Sequence, residues 1–487
     1  MSDILMIFPR PSATSPQKNP AISIFFPGEA AAKSGFEVDY YDERIDNFSD
    51  LKEKAAKAKI FGISSLSGFM LGRTIELLKW CKTIYPEKPV ILGGVHATFL
   101  PENCLENNLV DYVVLGEGEE RLPRLLKTVL NRKEEPKEID GVGYKKNGNI
   151  IINPRTKIID LKTNYVSPVS ERTEKYFIAA AKRNETILPV SRGCPWANKT
   201  RACTFCSVRD QYLGTYRFVP FEKWNADLEK IYALHPFSLL ELEDENSVHF
   251  VKNPEYAEAL KNKGIKFHLH LRADQLQKET EVANLARLGC LRIHMGIESG
   301  SQRVRNEIYK KGEDKGHFLK ASFLLSKYGI EGVYTYVIGA PTETKKEMME
   351  TLALSDLLKS IHPKGKARAT VYVLMALPGT DIFEDAKKAG WWFPKTMEEW
   401  ANVSAAYNPT LPQETNNIYL IAGLHHNWYH KTRQNFPGPW RLLIAPFQAL
   451  VEIRWKLKFF KFFKIEKFLI EKLISWRSKK SAGQTKK

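Results

Sequence analysis

Cysteine is scarce in this chain, with six residues among 487, too few for a scaffold held together by disulfides. Long hydrophobic runs are absent too, since no apolar stretch approaches the ~18 residues needed to span a bilayer. The first eight residues predict a buried strand, with neither a basic leader nor a cleavage site. We therefore expect a cytoplasmic protein that is neither integral to a membrane nor exported by an ordinary signal.

The composition supports a packed globular protein. Hydrophobic residues make up 43% and charged residues 26% of the chain, which excludes wholesale disorder. At ~100–200 residues per domain, the length predicts two or three domains.

The net charge of +17 is concentrated at one end. The segment from Arg441 to Lys487 carries +10, and the other 440 residues carry only +7. An overall basic charge therefore does not indicate a nucleic-acid-binding protein, and we expect no nucleic-acid partner. The segment also lacks the aromatic–glycine pattern of RNA-binding modules.

Aromatic and basic residues alternate at helical spacing in this carboxyl-terminal segment, which predicts a basic amphipathic helix or pair of helices. One interpretation is a helix packed on the preceding domain with a solvated basic face. The other is peripheral contact of 441–480 with an anionic membrane on its inner face, or with a membrane-derived substrate. The residues that form the pattern are Phe459, Phe462, Phe463, Ile470 and Leu473, interleaved with Lys458, Lys461, Lys464 and Lys467.

Residues 1–160 alternate short apolar strands with helix-length segments, which predicts a parallel α/β sheet covered on both faces. The strand candidates are Ile4–Phe8, Glu37–Tyr41, Ile60–Ile63, Pro89–Leu92 and Tyr112–Leu115. Ser64, Gly93 and Gly94 follow two of them, where ligands bind in open α/β sheets. These small residues either line a ligand site or simply end the strands.

Residues 161–182 are polar and predict a linker. A second α/β unit follows over 183–390, and its repeated strand–helix pattern predicts a full or partial barrel. Its strand candidates begin near Thr186 and continue at Leu239–Glu243, Lys266–Leu271, Leu291–Met295, Gly332–Ile338 and Ala369–Leu374. Residues 391–487 form a helical, basic and aromatic-rich region.

Three cysteines lie within one loop, with the spacing C-x8-C-x2-C at Cys194, Cys203 and Cys206. Three thiolates can hold three irons of a 4Fe–4S cluster and leave the fourth iron open. Structural zinc normally takes four protein ligands, so zinc would need a distant histidine. Lys199 and Arg201, between the first two cysteines, face either the substrate or solvent.

The cysteine loop at the end of a first barrel strand resembles the cluster loop of the radical SAM superfamily. The usual spacing is C-x3-C-x2-C, so this chain carries five extra residues in the first gap. Four downstream segments resemble the family in order, namely Glu243–Asn246, Arg272–Asp274, Gly296–Ser301 and Val337–Thr344. Leu377–Thr380 fits the end of the sixth strand.

This resemblance implies that the open iron binds S-adenosyl-L-methionine (SAM) and that one electron cleaves SAM to a 5′-deoxyadenosyl radical. The protein would supply orientation and shielding, and a flavodoxin or ferredoxin would be the low-potential electron donor. Glu298 and Arg272 are the implied SAM contacts, and Gly339 is a further cofactor-binding candidate in the fifth-strand turn. Arg272 and Asp274 could instead form an ion pair inside the barrel.

The first domain resembles the flavodoxin-like cobalamin-binding domain of one radical SAM class, through Ile91–Thr98 and Val114–Glu119. Gly93 and Gly94 would let a cofactor tail approach the backbone closely, and Ser64 lies beside them. The Asp-x-His-x-x-Gly motif that supplies an axial histidine is absent from the first strand–helix loop, so cobalamin would lack that ligand. His96 has either a structural role or a cofactor contact.

The resemblance implies an enzyme that modifies an unactivated carbon of a large, apolar small molecule, with cobalamin-dependent C-methylation as the expected reaction. A tetrapyrrole pigment or a polycyclic lipid would fit the aromatic carboxyl-terminal region. The alternatives are radical hydroxylation or oxidative cyclisation of a (bacterio)chlorophyll precursor, as in the related anaerobic magnesium-protoporphyrin monomethyl ester cyclases, and peptide C-methylation. An RNA methylthiotransferase or a non-catalytic binding protein is a more distant alternative. The sequence identifies no catalytic side chain.

Overall fold

A computed structural model describes residues 1–11, 19–131, 136–198, 200–404, 407–435 and 440–461. Lys199 and the predicted amphipathic positions beyond residue 461 lie outside the described residues. No described helix has both the length and the apolar character that crossing a bilayer requires.

The first domain is a seven-stranded sheet with the order β2-β1-β3-β4-β5-β6-β7. The strands are β1 (Ser2–Phe8), β2 (Val38–Asp42), β3 (Ala58–Ser64), β4 (Val90–Gly93), β5 (Tyr112–Val114), β6 (Val142–Lys146) and β7 (Asn149–Ile152). β1 to β5 are parallel, as predicted, and β6 and β7 add an antiparallel hairpin that the sequence analysis did not predict. The chain direction across the sheet reverses between β1 and β3, where doubly wound sheets bind ligands.

Among the residues described, six helices belong to this domain, and both faces of its sheet are buried. They are α1 (Ile22–Lys33), α2 (Phe48–Lys57), α3 (Phe69–Ile84), α4 (Val95–Phe99), α5 (Pro101–Glu106) and α6 (Arg121–Asn131). One face packs through Phe25 and Leu125 and the other through Leu71 and Leu78, all fully buried.

The predicted linker contains a helix, α7 (Glu174–Ala181), that is packed against the first domain. The Tyr176 hydroxyl donates to the Tyr40 carbonyl at 2.9 Å, and its ring lies 5.3 Å from that of Phe25. The apolar residues of α7 are too few to show a long periodic run, which is why the sequence predicted a linker.

The second domain is an open sheet of six parallel strands in the order β15-β14-β13-β12-β11-β8, the partial barrel that the sequence predicted. Its strands are β8 (Glu185–Ile187), β11 (Leu239–Glu241), β12 (Lys266–His270), β13 (Cys290–Glu298), β14 (Glu331–Ile338) and β15 (Ala367–Val373), and β9 (Ser191–Gly193) pairs with β10 (Tyr216–Phe218) as a separate hairpin. The helices are α8 (Val208–Gln211), α9 (Phe221–Leu234), α10 (Val248–Lys252), α11 (Glu255–Asn262), α12 (Glu279–Leu288), α13 (Lys315–Lys327), α14 (Lys345–Ser360) and α15 (Asp381–Lys388).

Local sequence explains where these helices begin and end. Asp314 caps α13 by accepting a hydrogen bond from the His317 amide, and Thr344 caps α14 by accepting one from the Glu347 amide. Gly289 ends α12 in the left-handed conformation that favours glycine.

The carboxyl-terminal region consists of α16 (Met397–Trp400), α17 (Gln413–Asn435) and α18 (Trp440–Lys456). α17 packs on the edge strand β15 and on α18, and Asn417 donates to the Phe460 carbonyl at 2.8 Å. α16 instead packs on α3 of the first domain, where Trp400 is buried and its carbonyl accepts from the Gly68 amide. This region therefore contacts both domains.

Candidate active site between the two domains

The first cysteine follows directly from β9, at the start of the connection that leads to β10. Gly193 has φ +90°, and a Cβ there would overlap the Thr215 carbonyl oxygen. Only glycine therefore fits beside Cys194. Asp244 accepts hydrogen bonds from the amides of Val190 and Ser191 at 2.9 and 3.0 Å, so the acidic end of β11 fixes this hairpin.

Cys194, Cys203 and Cys206 are free thiols that line one cavity of about 690 Å³. Three thiols that face one cavity match the ligand set of a 4Fe–4S cluster with one open iron, whereas structural zinc normally takes four protein ligands. Burial raises the pKa of Cys203 to about 11 and that of Cys206 to about 12.

Glu298 and Arg272, which the family resemblance implies as SAM contacts, line the same cavity as the cysteines. Glu298 ends β13 with φ +67°, a strained conformation for a non-glycine residue, and its Oε1 lies 3.3 Å from Nζ of Lys311. Burial opposes the charge of Lys311, but the carboxylates of Glu298 and Glu313 raise its pKa.

Arg272 also forms the internal ion pair that the sequence analysis left open. Its guanidinium lies 3.0 Å from Asp274 and donates to the Lys311 carbonyl at 2.8 Å. The guanidinium groups of Arg272 and Arg201 lie 4.1 and 4.0 Å from the ring centroid of Trp196. Arg201 therefore packs on the cysteine loop.

Gly339 is not among the residues that line the cavities described here. It follows β14 with φ +84°, and a Cβ there would overlap a methyl group of Leu411. Its amide donates to Oε2 of Glu343 at 2.6 Å, and burial raises the pKa of that carboxyl to about 7. The structure thus places Gly339 in a tight turn.

A second cavity of about 280 Å³ lies at the carboxyl ends of β1, β3, β4 and β5, and Ser64, Gly93 and Gly94 line it together. Gly94 has φ +94°, and a Cβ there would overlap the Ser65 backbone. At Gly93 the nearest atom to a Cβ would be 3.9 Å away, so a side chain would have room but would reduce the cavity. This glycine cradle fits a narrow cofactor tail.

His96 does not line this second cavity. It is 2% exposed, its Nδ1 lies 2.9 Å from the Ser67 hydroxyl, and its ring contacts that of Trp400. Burial lowers its pKa to about 4, so the imidazole is neutral. The structure supports a packing role for His96.

The loop after β5 joins the first domain to the cysteine hairpin. Glu117 and Glu119 lie 2.7 and 2.6 Å from Arg192, and Arg217 lies 3.1 Å from Glu117. These contacts were not predicted from the sequence, although the Gly-Glu-Gly-Glu run and the arginine two positions before Cys194 were the available signals.

Three histidines of the barrel were also missed. His268, His270 and His294 line the cysteine cavity from β12 and β13. The His-x-His alternation at 268–270 places both rings on one face of β12, a signal that the sequence does carry.

The two cavities meet between the domains, and Glu243 and Glu245 are the residues that line both of them. Glu245 accepts hydrogen bonds from the Gly193 amide at 3.0 Å and the Tyr212 hydroxyl at 2.7 Å. A molecule at this junction could reach both cavities.

Comparison with known families gives two matches along the chain. Residues 12–126 match the B12 binding domain, and residues 188–355 match the Radical SAM superfamily.

Curated relatives are distant in sequence. An uncharacterized methyltransferase of Pyrococcus horikoshii is 26% identical over 70% of this chain and 72% of its own length. The anaerobic magnesium-protoporphyrin IX monomethyl ester cyclase of Cereibacter sphaeroides is 25% identical over 58% of this chain and 46% of its own length. Hopanoid C-3 methylase of Methylococcus capsulatus is 26% identical over 58% of this chain and 54% of its own length. This chain thus spans only about half the length of the last two.

Solved structures share the fold. The cobalamin-dependent radical enzyme OxsB, with aqua-cobalamin and SAM bound, gives a TM-score of 0.73 at 17% identity and covers 94% of this chain and 72% of its own. The radical SAM methyltransferase TsrM of Kitasatospora setae gives a TM-score of 0.64 at 16% identity, and the match covers 80% of this chain and 77% of TsrM.

Proposed function

Since this chain is a radical SAM enzyme with an amino-terminal B12-binding domain, homologous to cobalamin-dependent radical SAM methyltransferases and to the anaerobic magnesium-protoporphyrin cyclases, we propose that it transfers a methyl group to an unactivated carbon. The two domains imply a 4Fe–4S cluster, SAM and cobalamin. The observation that carries the proposal is the meeting of the cysteine cavity and the glycine-lined cavity at Glu243 and Glu245.

In this proposal Cys194, Cys203 and Cys206 hold three irons of the cluster and leave one iron free for SAM. When bound, the cluster supplies the electron that cleaves SAM, and cobalamin carries the methyl group. Glu298 accepts a hydrogen bond from SAM, and Lys311 keeps that carboxylate paired. Arg272 holds Trp196 and the Lys311 backbone in place beside the cavity.

Ser64, Gly93 and Gly94 are proposed to hold the cobalamin tail. The first strand–helix loop lacks the Asp-x-His-x-x-Gly motif, so we propose that cobalamin is held without an axial imidazole from that loop. The small volume suits the tail, so the corrin ring would face the junction.

Radical SAM enzymes generally use a small substrate and a reductant. We propose a substrate with a large apolar body, such as a tetrapyrrole or a polycyclic lipid, and flavodoxin or ferredoxin as the reductant. The relatives that methylate hopanoids or cyclise a magnesium porphyrin support this substrate class.

Peripheral contact with an anionic membrane is a further part of the proposal. Ile453 and Leu457 of the α18 segment are 54% and 72% exposed at positions four apart, so they share one face. Lys456 and Lys458 flank Leu457, and Lys458 also lies 3.5 Å from Asp356. Sedimentation with phosphatidylglycerol vesicles, compared with phosphatidylcholine vesicles, tests this contact, and equal binding to both would contradict it.

The experiment on the reaction itself is anaerobic reconstitution with iron, sulfide and cobalamin, followed by mass spectrometry of the SAM products with candidate tetrapyrroles and hopanoids. Methylation consumes two SAM molecules and gives 5′-deoxyadenosine together with S-adenosylhomocysteine. 5′-Deoxyadenosine alone would favour the second candidate, a radical hydroxylation or cyclisation, which the homology to the cyclases supports.

A further inference from the structure

The junction of the two cavities carries two carboxylates with different surroundings. If the proposed function holds, the reacting carbon of the substrate must reach both cofactors, and it must therefore lie at this junction. Glu243 and Glu245 are the residues that line both cavities there. Both are surrounded by protein but keep accessible surface, because they face the cavities.

Glu245 and its neighbour Asp244 are already engaged with the protein. Glu245 accepts from the Gly193 amide and the Tyr212 hydroxyl, and Asp244 accepts from two backbone amides. Both carboxylates thus hold the cysteine hairpin in position.

Glu243 differs from both of them. Its backbone has φ +48°, a conformation that residues other than glycine, asparagine and aspartate seldom adopt, and such strain concentrates at functional positions. Burial, with the charge of Glu241, raises the pKa of Glu243, and the side chain of Asn19 is the hydrogen-bonding neighbour that opposes this. A carboxyl that faces a cavity and is partly desolvated by the protein around it is stabilised by a donor that approaches it.

The barrel side of the same cavity is polar as well. His270 and His294 line it, their rings lie 4.7 Å apart, and burial lowers the pKa of both, so the rings are neutral. Thr335 and Glu241 line it too, and Glu241 is paired with His268 at 3.2 Å. A polar wall of this kind suits a substrate that carries a polar group better than a purely hydrocarbon surface.

We propose that Glu243 is a substrate-positioning residue, whose carboxylate accepts a hydrogen bond from a hydroxyl or amine that the substrate carries close to the carbon to be modified. The substrate class is therefore an apolar body with a polar donor group near the reacting carbon. This inference rests on the proposed function.

The test uses the reconstituted holoenzyme with trideuteromethyl-labelled SAM and a deproteinised small-molecule extract of the native cells. Wild-type enzyme and Glu243→Gln are compared by the ratio of 5′-deoxyadenosine to labelled product. Glutamine keeps the volume but removes the charge, so we expect the ratio to rise tenfold or more as SAM cleavage becomes uncoupled from transfer. Glu243→Asp restores the carboxylate, tolerates the same backbone conformation, and should recover part of the coupling.

Glu245→Gln is the matched comparison. A glutamine there can still accept from the Gly193 amide and donate to the Tyr212 oxygen, so the ratio should stay at the wild-type value even if the rate falls. An unchanged ratio in Glu243→Gln, or an equal rise in Glu245→Gln, would overturn the assignment.

The donor group is tested on the labelled product itself. Acetic anhydride should add an acetyl group to it, and a product that resists acetylation would contradict the proposed substrate class. Wild-type enzyme that forms 5′-deoxyadenosine but transfers no label would overturn the proposed methyl transfer instead, a result that the Glu243 variants cannot imitate.

Discussion

Nη1 of Arg192 lies 2.7 Å from Oε1 of Glu117, so the loop after β5 of the first domain holds the residue two positions before Cys194. Their side chains are 12% and 7% exposed. Burial opposes the charge of Glu117, but Arg192 and Arg217 lower its pKa, so the carboxylate stays ionised. The ion pair therefore fixes the cysteine hairpin relative to the first domain.

Replacing Arg192 should strongly destabilise the protein. In Arg192→Met, Glu117 and Glu119 lose a buried partner, and breaking a buried pair costs about 3–5 kcal/mol. Urea unfolding of the cluster-free protein measures the loss of unfolding free energy. Arg183→Met removes a more exposed pair with Glu185 and should cost about 1 kcal/mol or less. Equal losses of unfolding free energy in the two variants would show that the interdomain pair stabilises the protein no more than the exposed pair does.

His96 should make the stability depend on pH between about 6.5 and 4. Burial lowers its pKa from 6.5 to about 4, so the unfolded chain takes up the proton first as pH falls. The contribution of neutral His96 to the free energy of unfolding is therefore fully present above pH 6.5. It decreases by ~3 kcal/mol as the pH falls toward 4. Unfolding of wild type and His96→Gln at several pH values measures the slope.

In His96→Gln the free energy of unfolding should depend less steeply on pH than in wild type. Some dependence should remain, because burial also lowers the pKa of His294 and His362. His235→Gln, at a partly exposed site, should keep the wild-type slope. A His96→Gln slope identical to wild type would contradict a buried, neutral His96.

The sequence was sufficient to predict the fold class, which the structure and the comparisons confirm. Apolar runs of four or five residues separated by helix-length segments are typical of parallel strands covered on both faces. The β6–β7 hairpin was missed, although Asn147-Gly148 between its strands is a hairpin-turn signal. Leu161–Lys182 was interpreted as a linker because only eight residues of it are helical.

The candidate site was only partly predictable. The cysteines and the glycines were found because each set is local in sequence. The ion pair between Arg192 and Glu117 joins residues 75 positions apart. The position of Glu243 in the lining of both cavities depends on how the two domains pack. No local pattern encodes either relationship. All the residue roles stay predictions: iron binding by Cys194, Cys203 and Cys206, and cofactor binding by Ser64, Gly93, Gly94, Glu298, Arg272 and Gly339.

Substitution of Gly93 should block cobalamin binding without unfolding the first domain. A Cβ at this position has 3.9 Å to its nearest neighbour, so Gly93→Val should fold, while its methyl groups project into the second cavity. We expect at least tenfold weaker cobalamin binding, measured from the absorbance of cobalamin retained after gel filtration. Gly72→Ala on α3, where a Cβ is 3.7 Å from Ala401, should retain cobalamin. Full retention by Gly93→Val would place the cofactor elsewhere.

Cys203→Ala should abolish SAM cleavage and leave the first domain able to bind cobalamin. Loss of one thiolate removes an iron ligand, so iron and sulfide per chain should fall to background and 5′-deoxyadenosine should disappear under anaerobic assay. Cys290→Ala is the matched control, because Cys290 is a buried thiol at the start of β13, outside the cysteine loop. It should lose stability to the small cavity that it leaves but keep its iron. If Cys203→Ala still formed 5′-deoxyadenosine, the cysteine loop could not be the cluster site.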